Sequence, residues 1–331
     1  MRLFATPEWI HAQGAGPVSE MTLHLELYQA FAEGLDGLDS SYVHEYLRPR
    51  GLDDEEIETY IARRRRLAAG PASPDSLPVI VTAKGKFELD GDGHHRAVRH
   101  VFDNSARVSV EVVGVSPLWQ KIADELQAIY PGRGNYLYQE IEHPYYAGWE
   151  LSRAPARLDI VMEAVAKAGI RAPGQALEVG SCTGRFCREL SRAGWRTFGI
   201  DCNPTVVMVA EFLNQVFETS PNYWRCSIGD ADYTKLLMGG DGWDLIVCLS
   251  VLHAYHTQGQ HAWVGAVLRQ FLDRTRCLVT DCDAPGRTFQ GGTSWPEEQY
   301  RAWLTDICSD SHELQIIGAE ENRTIYLLLH K

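Results

Sequence analysis

No cysteine occurs in the first 181 residues; all eight lie between Cys182 and Cys308. None forms a C-x-x-C pair, and no Cys/His cluster has zinc spacing, which excludes a zinc ribbon, a thioredoxin-type redox motif and a disulfide scaffold. Most of these cysteines fall in or beside stretches that read as buried strands, where the thiol behaves as a small hydrophobe. They are expected to be reduced, with no metal bound. Long apolar runs are also missing: none approaches the roughly 18 residues that a membrane span requires. The opening MRLFATPEWIHAQGAG has no apolar core of the kind a secretory signal needs, so the chain is expected in the cytoplasm, without a membrane partner. Positive charge is scarce. The formal net charge of −13 repels phosphate backbones and argues against nucleic acid as a partner. The obvious basic run, Arg63 to Arg66, follows DDEEIETYIA; acids opening and bases closing one helix suit its macrodipole, so the run reads as a solvated helix face rather than a phosphate patch.

What is present is enough for a core: 331 residues, 45% of them hydrophobic, fit two domains or one large domain with an extension. Residues 1 to about 75 read as helical and polar and end in the linker AAGPASPDS. Strands are expected at 78–82, 86–89 and 106–115, with a turn at Lys84–Gly85 and a helix from His94. Helical periodicity marks 118–130 and 150–169. From 175 onward strands and helices alternate, which predicts a doubly wound parallel sheet with helices on both faces. Its strands are placed at 175–179, 196–200, 223–228, 243–249, 276–281, 312–318 and 323–330, and its helices near 185–193, 204–217, 260–272 and 296–308. Only AEEN separates the last two strands, so they should form an antiparallel hairpin on the otherwise parallel sheet. The resulting division is 1–117, a helical linker or lid at 118–170, and 171–331.

The stretch ALEVGSCTGRF (176–186) breaks from an apolar strand into a glycine loop. A dinucleotide fingerprint needs a glycine where Cys182 stands. A triphosphate loop needs four residues between its glycines and then Lys and Ser/Thr, whereas Arg185 and Phe186 follow here. The acids that remain are Glu178 before the loop, Asp201 at the end of the next strand, placed to accept a ribose diol, and Asp230 with the Ala231 amide after the third strand, suited to an adenine amino group. Ribose and adenine acceptors without a pyrophosphate cradle describe an adenosine whose 5′ side carries no phosphates.

Residues 175–253 resemble the class I S-adenosylmethionine (SAM)-dependent methyltransferases. Glu178, Gly180 and Gly184 match the family's E-x-G-x-x-x-G motif, Asp201 its ribose acid, GDAD (229–232) its adenine loop and WDLIVCLSVLHAY its fourth strand and turn. The resemblance implies a Rossmann-like α/β fold with an antiparallel last strand, SAM as cofactor, and a binding set of Glu178, Gly180, Ser181, Gly184, Asp201, Cys202, Asp230, Ala231, Leu249 and Ser250. In the turn after the fourth strand, His253 and His256 are candidate general bases, since imidazole titrates near neutrality; they are equally read as structural histidines. Upstream, NYLYQEIEHPYYAGWELSRAPAR is similar to a lid segment of small-molecule methyltransferases through Tyr138, Gln139 and Arg153. Tyr138, Tyr145, Tyr146 and Trp149 then either wall a substrate pocket or pack helices between domains. The (N/D)-P-P-(Y/F) motif of amine-directed base methyltransferases and the nucleophilic cysteine beside proline of cytosine-C5 enzymes are both missing, so a small polar metabolite is the expected substrate.

FELDGDGHHRAVRH (87–100) resembles the D-G-x-H-R turn of the ParB/sulfiredoxin-like fold, implying a smaller α+β N-terminal domain. Asp92, His94, His95 and Arg96 would favour a nucleotide or phosphate at a helix start. With no cysteine before 182, sulfiredoxin chemistry is excluded. The paired histidines are closest to free-serine kinases of that fold, which leaves open a bifunctional kinase fused to a methyltransferase, or a nucleic-acid-associated methyltransferase.

Overall fold

The computed structural model describes residues 2–5, 20–69, 76–90, 93–102, 108–146, 148–152, 156–282, 288–289, 292–308, 311–320 and 323–331. The chain divides into two compact units, Met1–Ala123 with His143–Gly148, and Asp124–Glu142 with Trp149–Lys331. The division falls inside the helix Pro117–Ile129, so residues 118–170, read from sequence as one linker, are shared between the units. His143 explains part of this. Its Nε2 lies 2.5 Å from the Gly85 carbonyl, and its ring stacks on Phe87 and against Trp119.

The first unit is built on four strands, β1 (Arg2–Ala5), β2 (Leu77–Val81), β3 (Phe87–Leu89) and β4 (Val108–Val115), in the order β1-β4-β2-β3. β2 and β4 are parallel, and the other two pairs are antiparallel. Alternate residues of β2 are buried and meet Ala97 and Val98 of the helix Gly93–Phe102 in one core. β1 corrects the helical reading of the N-terminus: a four-residue strand exists through its partner β4, not through its own propensity. The helix Asp54–Ala69 does carry acids in its first turn, with Arg63, Arg65 and Arg66 exposed, but Arg64 turns inward and donates to the Tyr60 hydroxyl at 2.8 Å.

In the second unit a two-stranded parallel pair, β5 (Tyr136–Leu137) and β6 (Glu150–Leu151), precedes the main sheet. β6 takes the opening of the stretch read as one helix over 150–169, leaving a helix at Ala156–Lys167. The main sheet contains β7 (Gln175–Val179), β8 (Arg196–Asp201), β9 (Asn222–Arg225), β10 (Leu245–Cys248) and β11 (Cys277–Asp281). A small antiparallel pair, β12 (Thr288–Phe289) and β13 (Gly292–Thr293), follows, and β14 (His312–Glu320) and β15 (Arg323–His330) complete the sheet. Its order is β14-β15-β11-β10-β7-β8-β9, with β15 antiparallel to both neighbours and the run from β11 to β9 paired in parallel. Alternate residues of the same strands enter two cores: Leu177, Ile246 and Leu278 one, Ala176, Leu245 and Val279 the other. Both faces are covered, so these strands read as continuous apolar runs. Two helices escaped the sequence reading, Ala231–Met238 and Leu252–Thr257. Among the described residues no helix is long and apolar enough to cross a membrane.

Candidate functional site

β7 lies between β8 and β10, the point where the strand order reverses, and in such sheets ligands lie beyond the carboxyl ends of the strands there. The structure has a cleft of about 470 Å³ at that place, lined by Gly180, Asp201, Cys202, Ser250 and Val251 among others. That volume is in the range of small-molecule sites, ~300–1,000 Å³.

The glycine loop is closed on itself. Gly180 and Ser181 both donate N–H to the Ile200 carbonyl at 2.8 and 2.9 Å, and Gly184 donates to Ser181 O at 2.8 Å. Cys182 N–H goes to Asp201 Oδ2 at 3.0 Å. With four amides taken by protein acceptors, the loop offers no anion nest. Gly180 and Gly184 are at φ +75° and +78°; a Cβ would strike Val251 at the first and the Tyr223 hydroxyl at the second. Asp201 Oδ1 accepts Asn203 N–H at 2.9 Å. The Cys202 amide bonds the carboxylate as well, so three of its roughly four acceptor positions are taken and capacity remains beside the cleft.

The ten residues assigned to the cofactor separate by position. Gly180, Asp201, Cys202 and Ser250 line the cleft. Glu178, Ser181 and Leu249 are buried, and Gly184 closes the loop behind them. Glu178 Oε2 accepts Cys187 N–H at 3.1 Å and its carboxyl also takes a hydrogen bond from Gln139, so it ties strand, helix and the 136–142 segment together beneath the loop. Asp230 is exposed, with Oδ2 turned back on Ser227 N–H at 2.8 Å, and Ala231 is exposed at the start of its helix. Instead of these two, Ser227 and Ile228 border the cleft, with Ala254 and Tyr255 opposite in the lining.

Neither histidine lines the cleft. On the helix Leu252–Thr257, Ala254 and Tyr255 line the cleft, while His253 and His256 are buried. His253 Nε2 lies 3.5 Å from Arg323 Nη2. His256 is enclosed by His261, Trp295, Tyr300 and Trp303, with ring centroids 4.2–4.9 Å away. Burial, helped by His261, lowers its pKa to about 4, so it is neutral at physiological pH.

Of the lid residues, Tyr138 is half-buried and Gln139 engages Glu178. Glu142 next to them meets Arg185, Arg188 and Arg192. Burial would raise its carboxyl, but the Arg188 charge and hydrogen bonds from Arg188 and Arg192 outweigh it and hold the pKa at about 2. Tyr145 stands in the first unit beside Trp119 and Tyr146, centroids 5.9 and 5.1 Å away; Trp149 is half-buried. Arg96 Nη1 donates to the Ser76 carbonyl at 3.1 Å, which gives it a task inside its own unit. His94 and His95 fall in the first turn of the helix Gly93–Phe102; Asp92 and Arg153 lie outside the described residues. All eight cysteines are free, and Cys202 is the exposed one. Among the described residues no group of three His, Cys, Asp or Glu side chains is arranged to hold a metal.

Sequence reasoning missed Arg157, Asp281 and Arg323, which are buried behind Ser250. An aspartate closing a strand, as in LVTD, was the available signal for one of them; the two arginines had none.

No curated protein matches the chain by sequence. Among solved structures, it is similar to WbdD with its C-terminal bundle ordered, at 22% identity and a TM-score of 0.53 over 64% of this chain and 41% of that one. Another WbdD structure, of the bifunctional kinase-methyltransferase, gives 19% and 0.49 over 61% and 45%. The chain thus spans less than half the length of these WbdD structures. Magnesium protoporphyrin IX methyltransferase (ChlM) from Synechocystis PCC 6803, with bound SAM, gives 17% and 0.42 over 63% of this chain and 90% of that one. At such identities the first of these likenesses shows a shared fold. A family model described as a methyltransferase domain matches residues 150–317, just over half of the chain. By that match, over the part of the chain that holds the cleft, the protein belongs to the methyltransferase-domain family.

Proposed function

We propose that this protein transfers a methyl group from SAM to a small polar metabolite bound near the same cleft. The observation that carries the reading is Asp201. Its carboxylate is fixed by three backbone amides at the carboxyl end of β8 and still borders a cleft of nucleoside size, beside a glycine loop whose amides are already bonded. A ribose diol fits such an acceptor, and the closed loop fits an adenosine without phosphates. Bound SAM would supply an electrophilic methyl on sulfur for direct displacement by the acceptor. The chain's own part is to bind and align: Asp201 holds the nucleoside end, and Ser227, Ile228, Val251 and Ala254 border it. Holding the reacting atoms in line is a large source of rate in such a transfer. His253 and His256 take no part in this reading.

The same proposal gives the N-terminal unit, read as a ParB/sulfiredoxin-like domain, the task of holding substrate, or a nucleotide or phosphate, at the start of the helix Gly93–Phe102.

Calorimetric titration with SAM and with S-adenosylhomocysteine tests the reading. The wild type should bind, and Asp201→Ala should weaken binding by about 100-fold, two hydrogen bonds to a charged acceptor being lost. No binding by the wild type, or equal binding by the variant, would sink it. ATP turnover abolished by Asp92→Ala would move the first unit to the kinase alternative.

A further inference from the structure

Two residues of the loops at the cleft hold a backbone conformation that non-glycine residues rarely adopt: Cys182 at φ +48° and Ser250 at φ +58°. Such positions persist only where the surrounding structure over-determines them. Both are fixed by one device. Cys182, just after β7, donates N–H to the aspartate ending the neighbouring β8, and Ser250, just after β10, donates N–H to the aspartate ending the neighbouring β11, Asp281 Oδ1, at 2.8 Å. The second device goes further. Asp281, only 1% exposed, has Arg157 Nη2 2.5 Å and Arg323 Nη1 3.5 Å from its Oδ2. The same two arginines donate to Ser250 Oγ at 2.9 and 3.0 Å. Glu320 Oε2 lies 3.4 Å from Arg157 Nε, so two cations and two acids balance in the interior.

A buried charge set of this kind is seldom worth more to stability than apolar packing would be, which leaves its placement to be explained. It converges on one serine, and that serine borders the cleft. We propose that Arg157, Asp281 and Arg323 are positioning residues, which fix the Ser250 turn in its ligand-binding geometry before any ligand arrives. The proposal rests on the reading of this cleft as the SAM site. It also gives His253, in reach of Arg323, a task behind the cleft wall.

Arg157→Lys is the informative variant. It keeps the charge, but one ammonium cannot reproduce the planar fork that reaches Ser250 Oγ and Asp281 together. The folded variant should bind S-adenosylhomocysteine about tenfold more weakly, and in ligand-free protein the amides of residues 249–252 should exchange faster. Adding Ser250→Gly should return part of the lost affinity, because glycine takes a positive φ without being held; a purely structural charge cluster would show no such suppression. Wild-type affinity and wild-type exchange at 249–252 in Arg157→Lys would overturn the proposal, as would a loss that Ser250→Gly leaves unchanged. If the wild type fails to bind, the SAM reading falls, and exchange in ligand-free protein still decides whether these residues hold the turn.

Discussion

Glu178 and Gly184 belong to one sequence motif yet do different physical work. Burial pushes the Glu178 carboxyl up to about 7, against the pull of hydrogen bonds from Cys187 and Gln139 and of the Arg188 charge. Between the ordinary carboxylate value and about 7, the native state therefore keeps a proton that the unfolded chain has lost, so this group makes stability fall as pH rises through that window. Glu178→Gln should flatten that part of the curve, read as melting temperature against pH from 4.5 to 8; an unchanged slope would mean Glu178 is ionised throughout. Gly184 is different: a side chain there meets the left-handed backbone penalty and the Tyr223 hydroxyl at once. Gly184→Ala should cost about 2–4 kcal/mol in denaturant unfolding, the sum of a left-handed alanine and an overpacked contact.

At the scale of elements, the helix Leu252–Thr257 decides what the turn after β10 presents. Its cleft face carries Ala254 and Tyr255, and its buried face drives His256 into aromatic rings. The depressed pKa of His256 favours the neutral ring in the fold, so its contribution is complete above the usual histidine range and is lost as pH falls toward about 4. His256→Phe should remove that acid-side loss from thermal melts. It should also leave methyl transfer within about threefold, whereas removing a general base costs 10²–10⁴-fold; a loss of that larger size would restore the histidine as base. Six residues of this helix could not be read as a helix from LSVLHAYH, because the signal separating cleft face from core face comes from Trp295, Tyr300 and Trp303 far along the chain. The inner strands β7, β10 and β11 were legible for the opposite reason: buried on both faces, they announce themselves as apolar runs. β1 was hidden, since four residues become a strand only by pairing with β4.

Across the whole molecule, acid dominates: at a net charge of −13 the protein should not be retained on DNA or RNA columns even at low salt, and salt-sensitive retention would reopen the nucleic-acid reading. The parts of the site that the sequence displayed are those carried on short loops, such as Gly180 to Gly184 and Asp201. The parts it concealed are assembled from distance. Arg157 meets Asp281 across 124 residues, and Arg323 meets Ser250 across 73.

That assembly has a consequence for synthesis. β15 lies beside β11 and brings Arg323 with it, while β7, β8 and β10, which shape most of the cleft, precede it by 75 residues or more of chain. A ribosome therefore delivers Asp201 well before the arginine that reaches Ser250. A nascent chain stalled before residue 323 would hold Arg157 and Asp281 of the Ser250 turn but lack its second arginine.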